Sequence, residues 1–427
     1  MKKANIFTTK SFIFLSFCFF SLVSMNDTKA QVKGADVSWV TQMEASGYVW
    51  YNASGTQQDL FTILKGLGIN AIRLRVWVNP SGGWCGKTDV VNKAVRAKNA
   101  GMSIMIDFHY SDTWADPGHQ TKPAAWSSHG ISQLYTDVWN HTVDVCNALK
   151  SAGVTPSWVQ VGNETNNGML WPDGQASTNM SQFAGLITSG YNGVKSVFSG
   201  AKVIVHLSNG YDNSLFRWMF DGLKTYGAKY DVIGMSLYPS TSNWSTLDAQ
   251  CLTNMNDMKS RYGKAAMICE VGMAANAPST CASFLKDIRS KNTSAGGLGV
   301  FYWEPEAYNW QGYGLGAWDA STKRPTSALI DGLKSAEVEQ IIPTANNGNG
   351  ISMYPNPLTS DELTVELNGL SGTTRIKILN VNGQELKTLT VINEQQVKIN
   401  KSGLVPGIYF IQIDNPAQKI VNTLIVK

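Results

Sequence analysis

The chain has 427 residues, too many for one small domain and enough for a barrel of roughly 250–300 residues with an appendage. With 43% hydrophobic and 15% charged residues it is composed like a well-packed globular protein. The formal charge of +4 drops to +1 without the first thirty residues, which carry four lysines and one aspartate, so nothing electrostatic points to nucleic acid or to an anionic membrane.

The N-terminus opens Met1-Lys2-Lys3 and turns apolar from Ser11 to Val23. A short basic stretch, an apolar segment of about a dozen residues and a small-residue exit at Thr28 and Ala30 predict a signal peptide over 1–30. A spanning helix needs about twenty apolar residues, and no such run is present here. Phe17 before Cys18 argues against lipoprotein processing. The remaining five cysteines (85, 146, 251, 269, 281) form no metal pattern, and Cys251 with Cys281 is the disulfide to look for.

From Gly34 onward, short apolar strands alternate with amphipathic helices. The strands are expected at Gly34–Val37, Ala71–Trp77, Ser103–Phe108, Trp158–Gly162, Lys202–Leu207, Val232–Leu237, Ala266–Val271 and Gly299–Trp303. The helices are expected at Gln58–Leu67, Lys87–Ala100, Ile131–Ala152, Ser181–Phe198, Leu215–Tyr226 and Leu247–Tyr262. Eight such units imply an α/β protein, a closed (β/α)8 TIM barrel over 31–340 with its chemistry on the loops at the C-terminal strand ends. No Gly-rich phosphate loop follows the first strand to favour an open doubly wound sheet.

A turn-rich linker is expected at 341–350. Beyond it, 351–427 reads as a small all-β sandwich with strands at Leu363–Leu367, Arg375–Asn380, Gln396–Ile399, Gly407–Ile413 and Lys419–Val426. Its only aromatics are Tyr354, Tyr409 and Phe410, a poor set for a sugar-binding module.

Chemistry concentrates at the strand ends. Glu164 closes the fourth strand and Glu270 the seventh, where a carboxylate is costly to desolvate without partners or a task. Two such groups about 5–5.5 Å apart across a bond are the acid/base and the nucleophile of a retaining glycosidase. A structural ion pair is the bland alternative for either one alone. Asn163 is placed to bind the sugar 2-hydroxyl. Arg73 and Arg75, two apart, share a side of their strand, and a guanidinium near Glu270 would keep it ionised. Substrate contacts are expected from Arg75, His109, Trp114, Asn163, His206, Tyr238 and Trp303, with Tyr238 donating to Glu270 and Trp303 forming the sugar floor. Trp77, Trp84 and Trp171 are further stacking candidates, and Asp107 and Asp112 are expected to brace the histidine and its loop. His109, Asp112, Asp116 and His119 match no metal spacing, so no metal is assigned.

The segments Gly34-Ala35-Asp36-Val37-Ser38, Ile72-Arg73-Leu74-Arg75-Val76-Trp77, Asp107-Phe108-His109-Tyr110-Ser111-Asp112-Thr113-Trp114-Ala115-Asp116-Pro117 and Val161-Gly162-Asn163-Glu164 resemble glycoside hydrolase family 53. The resemblance runs from about Lys33 to Leu333. It implies an endo-acting, retaining β-1,4-galactanase that cuts the galactan side chains of type I arabinogalactan in pectin, with Glu164 as acid/base and Glu270 as nucleophile. Some relatives carry a calcium ion or a disulfide in the loops after strands 7 and 8. The segment Gly272–Ser283 is short here, so no cofactor and no structural calcium are carried over. Tyr354-Pro355-Asn356-Pro357 and Gly403-Leu404-Val405-Pro406-Gly407-Ile408-Tyr409-Phe410 resemble the C-terminal sorting domain of type IX secretion. That resemblance implies contact with the secretion machinery and a secreted or surface location, and a monomer is expected. A same-clan enzyme acting on mannan, xylan or glucan, and a non-catalytic glycan-binding barrel, are the rival readings.

Overall fold

The computed structural model describes residues 31–334, 351–380 and 383–427. The expected signal peptide and the 341–350 linker lie outside the described residues. The chain forms two compact units that divide between Leu333 and Lys334.

The first unit is a closed barrel of eight parallel strands in sequence order. They are β1 (Val32–Asp36), β2 (Ala71–Val76), β3 (Ser103–Phe108), β4 (Trp158–Val161), β5 (Lys202–Leu207), β6 (Val232–Leu237), β7 (Ala265–Val271) and β8 (Gly299–Trp303). Four coincide with the sequence expectation residue for residue, because a strand buried on both faces is a bounded apolar run. The expected helices form as well. A further helix, Pro278–Ser294, begins inside the segment read as a loop; its proline sits in the first turn, where the missing N–H costs nothing.

Side chains alternate in direction along each strand, so the barrel interior is built in layers. The lower layer is apolar and includes Ala71, Met105, Ile204, Met267, Cys269 and Phe301. Phe301 packs edge-on against Trp158 and fills the space beside Gly34, where a Cβ would lie 2.1 Å from its ring. Two residues further along the strands the layer becomes polar: Asp36, Arg73, Asp107, Gln160, His206 and Ser236, all buried. An apolar base beneath a polar roof places the charges at the C-terminal mouth.

One irregularity re-aims a key side chain. In the pairing of β6 with β7, Met235 opposes Ile268 but Ser236 opposes Glu270, so Cys269 is an extra residue. Such a bulge reverses the alternation locally. Met267 and Cys269 join the interior cluster, Ile268 and Val271 the outer one, and Glu270 turns back inward.

The second unit packs a three-stranded antiparallel sheet with a four-stranded one around Leu363, Val365, Ile376, Ile378, Ile411 and Leu424. Strands Ile351–Tyr354 and Glu385–Ile392 add to the five expected from sequence. Glu385–Ile392 pairs on one side only and is largely exposed, so it lacks the alternation that marks a half-buried strand.

The expected Cys251–Cys281 disulfide is not formed, and the five cysteines among the described residues are buried free thiols. Cys281 Sγ lies 3.7 Å from the Tyr302 hydroxyl, and Cys251 packs under Gly210, so each thiol serves as a small core filler.

Replacing Phe301 by alanine empties the lower layer and should cost about 3–5 kcal/mol in chemical denaturation. A loss below about 1 kcal/mol would show that this layer does not support the barrel.

Candidate active site

Local backbone geometry delivers Glu164 to the mouth. After β4, Gly162 adopts φ +82°, and a Cβ there would lie 2.5 Å from Thr165 Cγ2, so the turn requires glycine. Glu164 has φ +44°, a left-handed conformation that a non-glycine residue keeps only where its surroundings impose it. The Thr165 N–H donates to the His206 carbonyl at 2.8 Å and the Glu164 N–H to His206 Nδ1 at 3.3 Å, pinning the turn to β5.

Arg73 is the hub beneath the mouth. Its guanidinium lies 2.6 Å from Asp36, 2.9 Å from Asp107 and 2.8 Å from Glu270 Oε1. It also donates to Asn163 Oδ1 at 2.9 Å and to Gln160 Oε1 at 3.2 Å. Isolated, any of these charges would cost several kcal/mol to bury; together they satisfy one another. Burial alone would raise Asp107, but Arg73 and then His109 more than offset it and hold the carboxyl below its ordinary range.

The two glutamates have unlike partners. Glu270 takes the Arg73 cation and the Tyr238 hydroxyl, which donates to Oε2 at 2.8 Å. Burial holds the Tyr238 phenol well above its ordinary pKa, so it is a neutral donor. Glu164 receives one neutral donor, the Ser236 hydroxyl, at 2.6 Å from Oε1. Burial raises both carboxyls from their ordinary values, and it takes Glu270 up to about 8 with the charge on Glu164 adding to the effect. Two mutually repelling buried carboxyls titrate as a pair and hold one proton between them over a wide pH range. The permanent cation 2.8 Å from Glu270 favours the ionised form of that carboxyl, whereas Glu164 accepts from a neutral hydroxyl.

Both glutamates open onto one cavity of about 320 Å³, lined also by His109, Trp114, Asn163, Tyr238 and Trp303. Tyr238 is 38% exposed along its ring while its hydroxyl turns inward. Asn163 gives one amide hydrogen to the Ala115 carbonyl at 2.7 Å and retains a second. His109 accepts at Nδ1 from Trp77 and from the Ala115 N–H, so its Nε2–H faces Asp107 at 3.0 Å. Trp303, Trp39 and Tyr313 meet edge to face, with centroids 5.1 Å apart for Trp39–Trp303 and 4.9 Å for Trp303–Tyr313. Asp112 braces its loop by accepting from the Asn79 and Ala124 N–H groups, while His119 pairs with Asp116 at the surface.

Two expected substrate contacts are corrected. Arg75 is 1% exposed: it pairs with Glu304 at 2.5 Å and is roofed by Trp39, Trp77 and Trp114, the last with its centroid 4.3 Å away. Its role is to carry the aromatic floor through cation–π contact. His206 is 0% exposed and lies under Glu164, so it contacts the carboxyl's support and not a ligand. Neither Trp84 nor Trp171 lines the cavity. Sequence reasoning missed Asp116, Tyr313 and Leu315 in the lining, and Gln160 and Ser236 beneath it. For the last two a signal existed: each is a polar residue interrupting an apolar strand at an inward position.

Residues 32–338 match the family described as glycosyl hydrolase family 53, and residues 352–427 match the secretion system C-terminal sorting domain. A probable arabinogalactan endo-beta-1,4-galactanase A of Neosartorya fischeri is 38% identical over 307 residues, covering 66% of this chain and 86% of that protein. An arabinogalactan endo-beta-1,4-galactanase of Thermothelomyces thermophilus is 35% identical, over 64% of this chain and 89% of its own. Among solved structures, a fungal beta-1,4-galactanase superposes with a TM-score of 0.66 at 31% identity, covering 71% of this chain and 99% of that one.

Replacing Arg73 by alanine strands buried carboxylates and should cost about 3–5 kcal/mol at neutral pH. Because Arg73 depresses Asp107, that stabilisation is present above the ordinary aspartate pKa and is lost as pH falls through the lower folded value. The stability gap between wild type and Arg73→Ala should therefore be widest near pH 7 and narrow below about pH 4. A gap that does not vary with pH would contradict the ion-pair account.

Proposed function

The chain belongs to glycosyl hydrolase family 53, and from that premise we propose that it is a retaining endo-β-1,4-galactanase acting on the galactan side chains of type I arabinogalactan in pectin. The observation that carries the reading is the unlike pair of carboxyls on one cavity, Glu270 on a cation and Glu164 on a neutral hydroxyl.

In the first step the Glu270 carboxylate attacks the anomeric carbon while the Glu164 proton passes to the departing glycosidic oxygen. The bond to the leaving chain breaks as the bond to Glu270 forms, giving a galactosyl-enzyme and an ionised Glu164. In the second step Glu164 takes a proton from water, the hydroxide adds to the anomeric carbon, and Glu270 leaves as carboxylate. One water is consumed and both groups regain their starting protonation. Arg73 and Tyr238 keep Glu270 charged and oriented between attacks. The spare amide hydrogen of Asn163 is placed for the 2-hydroxyl, and Trp303 offers an apolar face for the sugar ring. No further group is needed for this chemistry, and we propose that the enzyme works without a cofactor and as a monomer.

The sorting domain marks the chain for export to the cell surface or the medium. We propose that a leader over 1–30 first carries it to the periplasm. A pectic polysaccharide is too large to enter a cell, so the location suits the substrate.

Nuclear magnetic resonance of a fresh galactan digest should show the β-anomer of the new reducing end first, with mutarotation following. Glu270→Ala should lower turnover of galactan by at least about 10⁴-fold with the fold intact by circular dichroism. Initial appearance of the α-anomer, faster attack on mannan or xylan, or an active Glu270→Ala variant would falsify the proposal.

A further inference from the structure

The polar layer contains a chain of hydrogen bonds whose direction is fixed from one end. The Arg73 guanidinium has donors only, and it faces Gln160 Oε1 at 3.2 and 3.3 Å. The Gln160 amide nitrogen must then point the other way, where it meets Asp107 Oδ1 at 2.6 Å and His206 Nδ1 at 2.9 Å. A second donor, the Glu164 N–H, also reaches His206 Nδ1 at 3.3 Å. Two donors on one nitrogen make it the acceptor, and Asn163 Oδ1, 3.1 Å from the same nitrogen, accepts from the Arg73 guanidinium instead, at 2.9 Å. The imidazole hydrogen therefore sits on Nε2 and donates to Ser236 Oγ at 2.8 Å. Ser236 is left one hydrogen, and it points at Glu164 Oε1, 2.6 Å away. Burial, and then Arg73, holds His206 well below its ordinary pKa, so the ring stays neutral and the direction does not reverse.

We infer that Arg73, Gln160, His206 and Ser236 form a one-way relay that closes Glu164 Oε1 to protonation and so keeps the proton of the acid on Oε2, the oxygen left for the leaving group. The inference rests on Glu164 being the general acid. Ser236 and His206 are positioning residues here, since neither lines the cavity. The same guanidinium thus serves both carboxyls, one by direct contact and the other through three side chains. Ser236 and Tyr238, two apart on one strand end, hold the two glutamates separately.

The test compares aryl β-1,4-galactobiosides with a phenol and a 2,4-dinitrophenol leaving group, using wild type, Ser236→Ala, Ser236→Thr and Glu164→Gln. In Ser236→Ala the Glu164 carboxyl loses the hydrogen bond that orients it as well as its bias toward Oε2, so kcat/KM should fall about 10–100-fold on the phenyl substrate, part of what a general acid supplies, and less than about 3-fold on the dinitrophenyl one. Ser236→Thr, which keeps the hydroxyl, should recover most of the loss. Glu164→Gln should show the same selectivity more strongly. If Ser236→Ala falls equally on both substrates, or on neither, while Glu164→Gln remains selective, the relay is overturned and the catalytic pair stands. If Glu164→Gln itself shows no selectivity, the acid assignment fails and the relay falls with it.

Discussion

A single guanidinium organises this active site. Arg73 lies within 3 Å of three carboxylates contributed by three different strands, and it is sealed from water. A cation in that position has to be matched by acids, and acids in that position have to be matched by it. The consequence reaches the chemistry: one glutamate at the mouth touches the cation and the other does not. The fold therefore makes two chemically identical side chains unequal, which is the requirement for one to attack while the other holds a proton.

The rest of the barrel serves that inequality. An apolar lower layer anchors the strands, so the polar layer above it is fixed in register. Two departures from regular backbone then deliver the glutamates: the left-handed turn at Gly162 and Glu164, and the extra residue at Cys269. Arg75 does comparable work one level higher, where its charge is spent on three indole faces and Glu304 and not on substrate. The aromatic floor next to Trp303 is held from below by a buried charge, which restricts the rings without blocking the cavity.

Much of this was legible in the chain. Buried parallel strands are short apolar runs, so eight of them could be counted, and a carboxylate ending such a run stands out at positions 164 and 270. What the sequence does not carry is depth. Arg73, Arg75 and His206 obey the same two-residue period as true cleft residues, and only the rings and loops that cover them, distant in sequence, show them to be buried. The bulge at Cys269 is silent for the same reason, since a register shift exists only relative to a neighbouring strand. Gln160 and Ser236 were visible as polar interruptions, but their partners lie up to 87 positions away and could not be paired by inspection. The disulfide expectation failed because cysteine reads alike whether it is a crosslink or a small apolar filler.

The central claim is that the charge resides on Glu270 and the proton on Glu164. The most direct measurement is covalent trapping with a 2-deoxy-2-fluoro-β-galactobiosyl fluoride, followed by peptide mass mapping. The account predicts one fluorosugar per chain, attached to Glu270. A label on Glu164, or turnover of the reagent with no covalent adduct at any position, would contradict it.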